Sequence, residues 1–254
     1  ALCRHAVSAH RRKKRYRFDA PRFTLQPEQA PRDHVRVNLH EGVSEDWNLI
    51  ANDPVVSFRE PNFSIPLLPK KYSAQGIIED RPDVFLLRAE SIVAIPKGKV
   101  RVLLRSRTTS RLWLDGKVVA TLGKAQTRTS AHGKVSAQPA GFGAITRLLR
   151  PGTQEQVVEI DSSGGDKHLL LEAFVGGAGK RRPETGELCA AVSVDGKPFQ
   201  IVSPGTPWML TDANWRDQYT AARERMRLFK NERRATLGRK ENERWAARHQ
   251  MIRE

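Results

Sequence analysis

Between Val84 and Leu122 the chain reads VFLLRAESIVAIPKGKVRVLLRSRTTSRLWLDGKVVATL, and much of it changes character at every second residue. Val100, Val102 and Leu104 alternate with Arg101, Leu103 and Arg105. A period of two belongs to an extended strand with one apolar face, because successive side chains point to opposite sides. Asp115-Gly116 then separates Leu112-Trp113-Leu114 from Val118-Val119. A two-residue hairpin turn needs φ > 0 at both central positions, which Gly accepts freely and Asp tolerates. The stretch predicts strand, turn, strand, turn, strand, with the first break between Ile95 and Gly98.

The same pattern recurs on either side. Val35, Val37 and Leu39 alternate with Arg36 and Asn38, as in an antiparallel strand with one wet face. Residues 44–82 read as a proline-rich excursion, and 123–143 as a second, polar one. Gln156–Ile160, a turn at Ser162-Ser163-Gly164-Gly165, and His168–Val175 follow. In the last run Leu169, Leu171, Ala173 and Val175 face one way, with His168, Leu170, Glu172 and Phe174 opposite. A final hairpin from Cys189 to Val202 turns at Asp195-Gly196. About eight short strands without helical periodicity between them predict an antiparallel β-sandwich.

After Pro204-Gly205-Thr206-Pro207 the period changes. Thr211 or Asp212 serves as N-cap, and Trp215, Tyr219, Ala222, Met226 and Phe229 follow at spacings of four and three. Gly238 is expected to interrupt this helix, with Trp245, His249 and Ile252 striping a shorter second segment. The stripe is expected to pack on the sandwich or on its own return helix; a coiled-coil seam is the alternative. The chain is thus mainly β: a basic arm over 1–34, a β-sandwich over 35–206 and an amphipathic helical extension over 207–254.

Charge separates these parts. The net charge is +16, of which residues 1–17 hold +7 and residues 213–254 hold +6, leaving +3 for the long middle. The sandwich is therefore not itself a basic nucleic-acid module. Arg11, Arg12, Lys13, Lys14 and Arg15 form an unbroken run, read either as a solvated tail or as a contact for an anionic partner. Hydrophobic residues make up 39%, enough for a core, yet no window approaches the ~18 apolar residues of a membrane span. The first residues lack the apolar core of an intact secretory signal: it has been removed, was never there, or the chain is an excised piece. Cys3 and Cys189 are read as two free thiols, with a long-range disulfide as the alternative.

Catalytic motifs are missing: there is no GxSxG, HExxH, zinc-type Cys/His spacing or CxxCH. Phe174–Lys180 is glycine-rich, but Phe174 stands where a phosphate loop needs Gly and Arg181 where it needs Ser or Thr. Cys3, His5 and His10 lack a fourth metal ligand. No catalytic residue, metal or cofactor is expected. The candidate ligand-binding residues are Trp47 and Tyr72 for stacking on a sugar, Asp115, and the loop cations Lys180, Arg181 and Arg182. Each has a purely structural alternative. Glu159, Asp161 and Glu172 are a further acidic set if their strands converge.

Phe85–Ile95, Gly98–Arg105 and the hairpin Ser110-Arg111-Leu112-Trp113-Leu114-Asp115-Gly116-Lys117-Val118-Val119 resemble the anthrax protective-antigen-type β-sandwich domain over roughly residues 80–205. The resemblance implies a secreted or envelope-exposed module, commonly carbohydrate-binding. Sugar-binding members of that family hold calcium with two adjacent aspartates, and this chain has no Asp-Asp pair. A second likeness is to the amino-terminal region of planctomycete-type cytochrome-c-associated surface proteins. It rests on Pro82–Arg88, the same hairpin, Phe174–Gly177 with Arg182–Leu188, and Glu243–His249. The expected function is a non-enzymatic binding or scaffolding module, secreted, periplasmic or at the cell envelope, that engages a polysaccharide or a larger protein assembly. The alternative is an RNA- or ribosome-associated protein whose basic termini contact phosphates. An enzyme is the weakest option.

Overall fold

The computed structural model describes residues 29–48, 53–69, 71–72, 78–79, 81, 83–124, 135, 146–176 and 187–253. The arm cations Arg11–Arg15, the loop cations Lys180–Arg182 and Cys3 lie outside these residues. The strands are β1 (Val35–His40), β2 (Val56–Glu60), β3 (Lys71–Tyr72), β4 (Ile78–Glu79), β5 (Val84–Ser106), β6 (Ser110–Leu114), β7 (Lys117–Leu122), β8 (Gln154–Gly176), β9 (Cys189–Val194), β10 (Gln200–Ile201) and β11 (Trp208–Met209). Among the described residues one long helix, α1, covers Asp212–Arg253. The sheet is antiparallel and open, with the fold of a β-sandwich.

Two expected turns are not turns. β5 and β8 are each one strand of 23 residues and pair from Val84↔Gly176 to Ser106↔Gln154 in one register, the ladder skipping only Pro96 opposite Gly164. Straight strands of that length would span about 76 Å at ~3.3 Å per residue. A globular domain of this size has a radius of gyration near 16 Å, so the ribbon has to bend. It bends where the sequence suggested breaks: Gly98 (φ 111), Gly164 (φ 80) and Gly165 (φ 84) are all left-handed. The core positions also change parity there. Phe85, Leu87, Ala89, Val93 and Ile95 face the core before the bend, and Val100, Val102 and Leu104 face it afterwards. Cross-strand hydrogen bonding carries the strands through the bend.

Each half of the ribbon builds its own sheet. The first half carries β1 and β2 on β5, and β6 and β7 on β8; the second carries β9, β10 and β11 on β5. The two sheets enclose one core, where Val37, Leu87 and Leu171 meet Val102, Leu104 and Ala190. The predicted alternation in β8 holds: Leu169, Leu171, Ala173 and Val175 point into this core. Both Asp-Gly turns also form as read, with Asp115 (φ 46), Gly116 (φ 76), Asp195 (φ 51) and Gly196 (φ 70) left-handed. Within the first excursion, residues 56–60 are a strand on β1 and residues 71–79 contain the small β3–β4 pair.

The second sheet's outer face is apolar and is covered by the start of α1. Leu103, Ala191, Phe199 and Ile201 pack with Leu210 and Trp215. Thr211 is the cap, its Oγ1 accepting from the Asn214 N–H at 3.2 Å. A buried ion network pins the same corner. Arg105 lies opposite Glu155 in register and donates to its Oε2 from Nε (3.0 Å) and Nη2 (2.9 Å). Arg147 bonds Glu187 Oε1 at 2.6 and 2.9 Å and also pairs with Asp212 at the helix start. Cys189, a buried free thiol beside this network, is pushed up to about 12 by burial and does not ionise near neutrality. About two turns beyond Trp215, Ala222 is buried, and Arg225 pairs with Glu60 of β2.

The helix does not break at Gly238. A glycine in a helix interior costs about 1 kcal/mol against alanine, too little to stop a long helix of good formers. The stripe docks only in its first part: Trp215 and Ala222 are buried, whereas Tyr219 is 38% and Trp245 62% exposed. Beyond Lys230 the helix is largely exposed: from Asn231 to Arg248 every side chain except Thr236 and Leu237 is open to solvent.

A Cβ at Gly164 would sit 2.9 Å from Lys97 Cβ in a left-handed backbone, while one at Gly205 meets nothing nearer than 3.8 Å. Gly164→Ala is expected to lower stability by about 1–3 kcal/mol in a denaturant titration, with Gly205→Ala near neutral. Glu60 is 1% exposed, its Oε1 has no hydrogen-bond partner among the described residues, and burial raises it to about 7 despite Arg225. A carboxyl that holds its proton more tightly when folded gives stability that is complete below about pH 4.5 and lost as pH rises through 7. The contribution is about 3 kcal/mol, and Glu60→Gln is expected to flatten that part of the stability–pH curve.

Candidate functional site

The first sheet's outer face is unlike the second's. In β1, β5, β6 and β8 the positions pointing away from the core include Arg36, Arg88, Glu90, Arg111, Trp113 and Glu172. Register brings them together, because paired residues in neighbouring strands share a face. One row across the sheet runs Ser57, Asn38, Arg88, Glu172, Arg111 and Thr121. The adjacent row runs Arg59, Arg36, Glu90, Leu170, Trp113 and Val118. Opposite charges therefore stand side by side.

Glu172 is the centre of the cluster. Its side chain is 5% exposed. Its Oε1 meets Arg88 Nε at 3.1 Å, while its Oε2 accepts from Arg111 Nε at 2.6 Å and from Trp113 Nε1 at 2.8 Å. Glu90 accepts from Arg36 at 2.8 and 3.1 Å and faces His168 Nε2 at 3.4 Å. Burial pulls the Glu90 carboxyl upward, but the bonds from His168 and Arg36 outweigh it and hold the group below its ordinary range. Arg88 is lowered by burial, against the pull of Glu172 and Glu90.

Trp47 closes the cluster from the segment after β1. The Arg111 guanidinium lies 4.2 Å from the Trp47 ring centroid and 4.5 Å from that of Trp113, so one planar cation serves both indoles. Trp47 also leans on Phe174, centroids 4.2 Å apart and planes inclined at 38°. The result is a half-buried layer of aromatic rings and guanidinium groups held flat by carboxylates. Among the described residues no group of three or more His, Cys, Asp and Glu is placed to hold a metal ion.

The other sequence candidates fare differently. Asp115 is committed to the fold: its Oδ1 accepts from the His168 N–H at 2.9 Å and its Oδ2 meets Lys167 Nζ at 3.0 Å, clipping the β6–β7 turn to β8. Tyr72 lies on β3, opposite Ile78, in a two-stranded sheet of its own. The acidic set does not converge. Glu172 is buried among arginines, whereas Glu159 sits past the bend and pairs with Lys99 at 3.4 Å. Sequence reasoning put Trp47 forward but overlooked Arg88, Glu90, Arg111 and Trp113. Their signal was a pair of polar or aromatic residues two apart, Arg88/Glu90 and Arg111/Trp113, inside strands otherwise rich in apolar residues. A separate open groove of about 710 Å³ runs between Leu67-Leu68 and α1, with Met226, Phe229, Arg223 and Lys230 along it.

No protein-family model and no curated protein matches the chain. Solved structures similar to it include the PA14 sugar-binding domain of an RTX adhesin, at 10% identity and TM-score 0.41, covering 68% of this chain and 96% of that one. The PA14 domain of the MpAFP antifreeze protein is similar at 12% identity and TM-score 0.40, covering 72% and 89%. A β-glucosidase from Kluyveromyces marxianus in complex with glucose is similar at 13% identity and TM-score 0.38, covering 64% of this chain. The chain spans 17% of that glucosidase.

Removing the central carboxylate is the test of how the layer is held. Glu172→Leu leaves Arg88 and Arg111 half-buried without their anion and is expected to cost about 3–5 kcal/mol. Glu159→Gln, in a pair whose side chains are 57% and 75% exposed, is expected to stay within about 0.5 kcal/mol. Equilibrium unfolding of both variants decides it.

Proposed function

We propose that this chain is a non-enzymatic binding module, secreted or exposed at the cell envelope, whose sandwich engages a polysaccharide through the outer face of its first sheet. The observation that carries this reading is the layer of Trp47, Arg111 and Trp113 fixed by Glu172. Protein surfaces that bind sugars need rigid apolar ring faces with donors and acceptors at their edges, because a pyranose presents C–H patches ringed by hydroxyls. Here the rings lose little conformational freedom on binding, since neighbouring side chains already hold them. The resemblance of the Ser110–Val119 hairpin to the protective-antigen-type domain points the same way. Within a larger assembly the face would serve equally as the anchoring surface.

Binding to a panel of neutral polysaccharides, and to generic RNA, at about 50 and 300 mM salt tests this. Phosphate contacts weaken steeply over that range and sugar contacts do not. The expected result is salt-resistant binding to one neutral glycan, weakened at least tenfold in Trp47→Ala, a loss of about 1.4 kcal/mol. The melting temperature of the variant shows whether the fold is kept. Binding to RNA alone, collapsing with salt, would favour the RNA-associated reading based on the basic termini.

A further inference from the structure

We infer that the projecting half of α1 is a second binding element, which takes a linear anionic polysaccharide along one line of cations. The inference goes beyond the sheet-face reading and does not depend on it. From Asn231 to Arg248 every side chain except Thr236 and Leu237 is exposed. At about 100° per residue, Lys230, Arg233, Lys240, Arg244 and Arg248 fall within about 80° of one another around the helix. They extend over about 27 Å at 1.5 Å per residue. None of the five makes an ion pair among the described residues, although the neighbouring Arg227 is tied to Glu224 at 2.6 Å.

The unbroken helix matters here. A break at Gly238 would have split the stripe and let its halves point apart; the continuous helix keeps all five cations in line. The arrangement of the acids selects the occupant. Glu232 and Glu243 border the stripe on one side and Glu241 borders it on the other. A helix sunk in a duplex groove would press acids of both flanks against the phosphate walls. A single extended polyanion lying along the stripe touches only the cations. Carboxylates or sulfates repeating along such a chain match a row of separate cations, and release of condensed counterions drives the contact.

The test uses the full chain with Arg11, Arg12, Lys13, Lys14 and Arg15 replaced by Gln, so that α1 alone supplies the basic line. Heparin is the probe, with polyuridylate as the nucleic-acid competitor. In that background Arg233, Lys240, Arg244 and Arg248 are changed together to Gln, which keeps helix propensity nearly unchanged. The expected result is at least a tenfold loss of heparin affinity at about 150 mM salt. The log–log salt slope should fall by about three, as for four lost contacts. A companion variant with Lys at all four positions should bind as the parent does, and Trp47→Ala should leave heparin binding untouched. The inference is overturned if the glutamine variant binds heparin like its parent, or if polyuridylate binds more tightly than heparin at equal salt.

Discussion

The pairing of β5 with β8 is the contact on which every other element rests. It joins residues 84–106 to residues 154–176, and β1, β9 and β6 all attach to its two edges. Bringing such distant segments together closes a long loop, an entropic cost that only a long run of ladder bonds and a large apolar face offset. The bend at Gly98, Gly164 and Gly165 then turns one ribbon into two facing sheets. A straight ribbon would leave the Phe85–Ile95 face and the Val100–Leu104 face looking in different directions, with no common core. The shape of the domain therefore depends on three left-handed glycines.

Both outer faces bury ion pairs, but the second sheet adds an apolar cluster that the helix covers. The second sheet hides Leu103, Ala191, Phe199 and Ile201 under Trp215 and Leu210. Burying such side chains stabilises by about 1.5–3 kcal/mol each. The first sheet holds Arg88, Glu90 and Arg111 half-buried around a buried Glu172. An intact buried ion pair contributes little net stability against an apolar replacement, yet breaking it is costly. A face built this way is rigid without being strongly stabilised, and the pre-set orientation of its indoles is what a binding surface requires.

Helix α1 divides between the two roles. Its first turns are part of the fold, fastened by Trp215, by the Arg147–Asp212 pair and by Arg225 on Glu60. Its remainder carries charge into solvent. Along the docked line Trp215, Ala222, Met226 and Phe229 give way to Arg233, Lys240 and Arg244, so one helical face changes from packing surface to cation row. The groove beside Met226, Phe229 and Lys230 marks the changeover.

Much of the fold was legible in the sequence because its signals are local. Period-two runs gave the strands, two Asp-Gly pairs gave the hairpins, Thr211 gave the helix start, and the opposing faces of residues 168–175 were read correctly. Long-range pairing was not legible. Pro96–Gly98 and Ser162–Gly165 look like turns when read singly, and only their mutual hydrogen bonds make them the bend of two continuous strands. Trp47 was readable as an aromatic in a long segment. Its partners were not, because Arg36, Arg88, Arg111 and Glu172 come from four strands far apart in sequence and meet only through register. Asp115 looked like a candidate ligand until the fold brought the His168 N–H and Lys167 to its two oxygens. Sequence by itself determined which residues could extend, turn or coil, since those preferences lie within a few bonds of each residue. Tertiary structure decided which charges became neighbours, because that depends on how strands distant in the chain align.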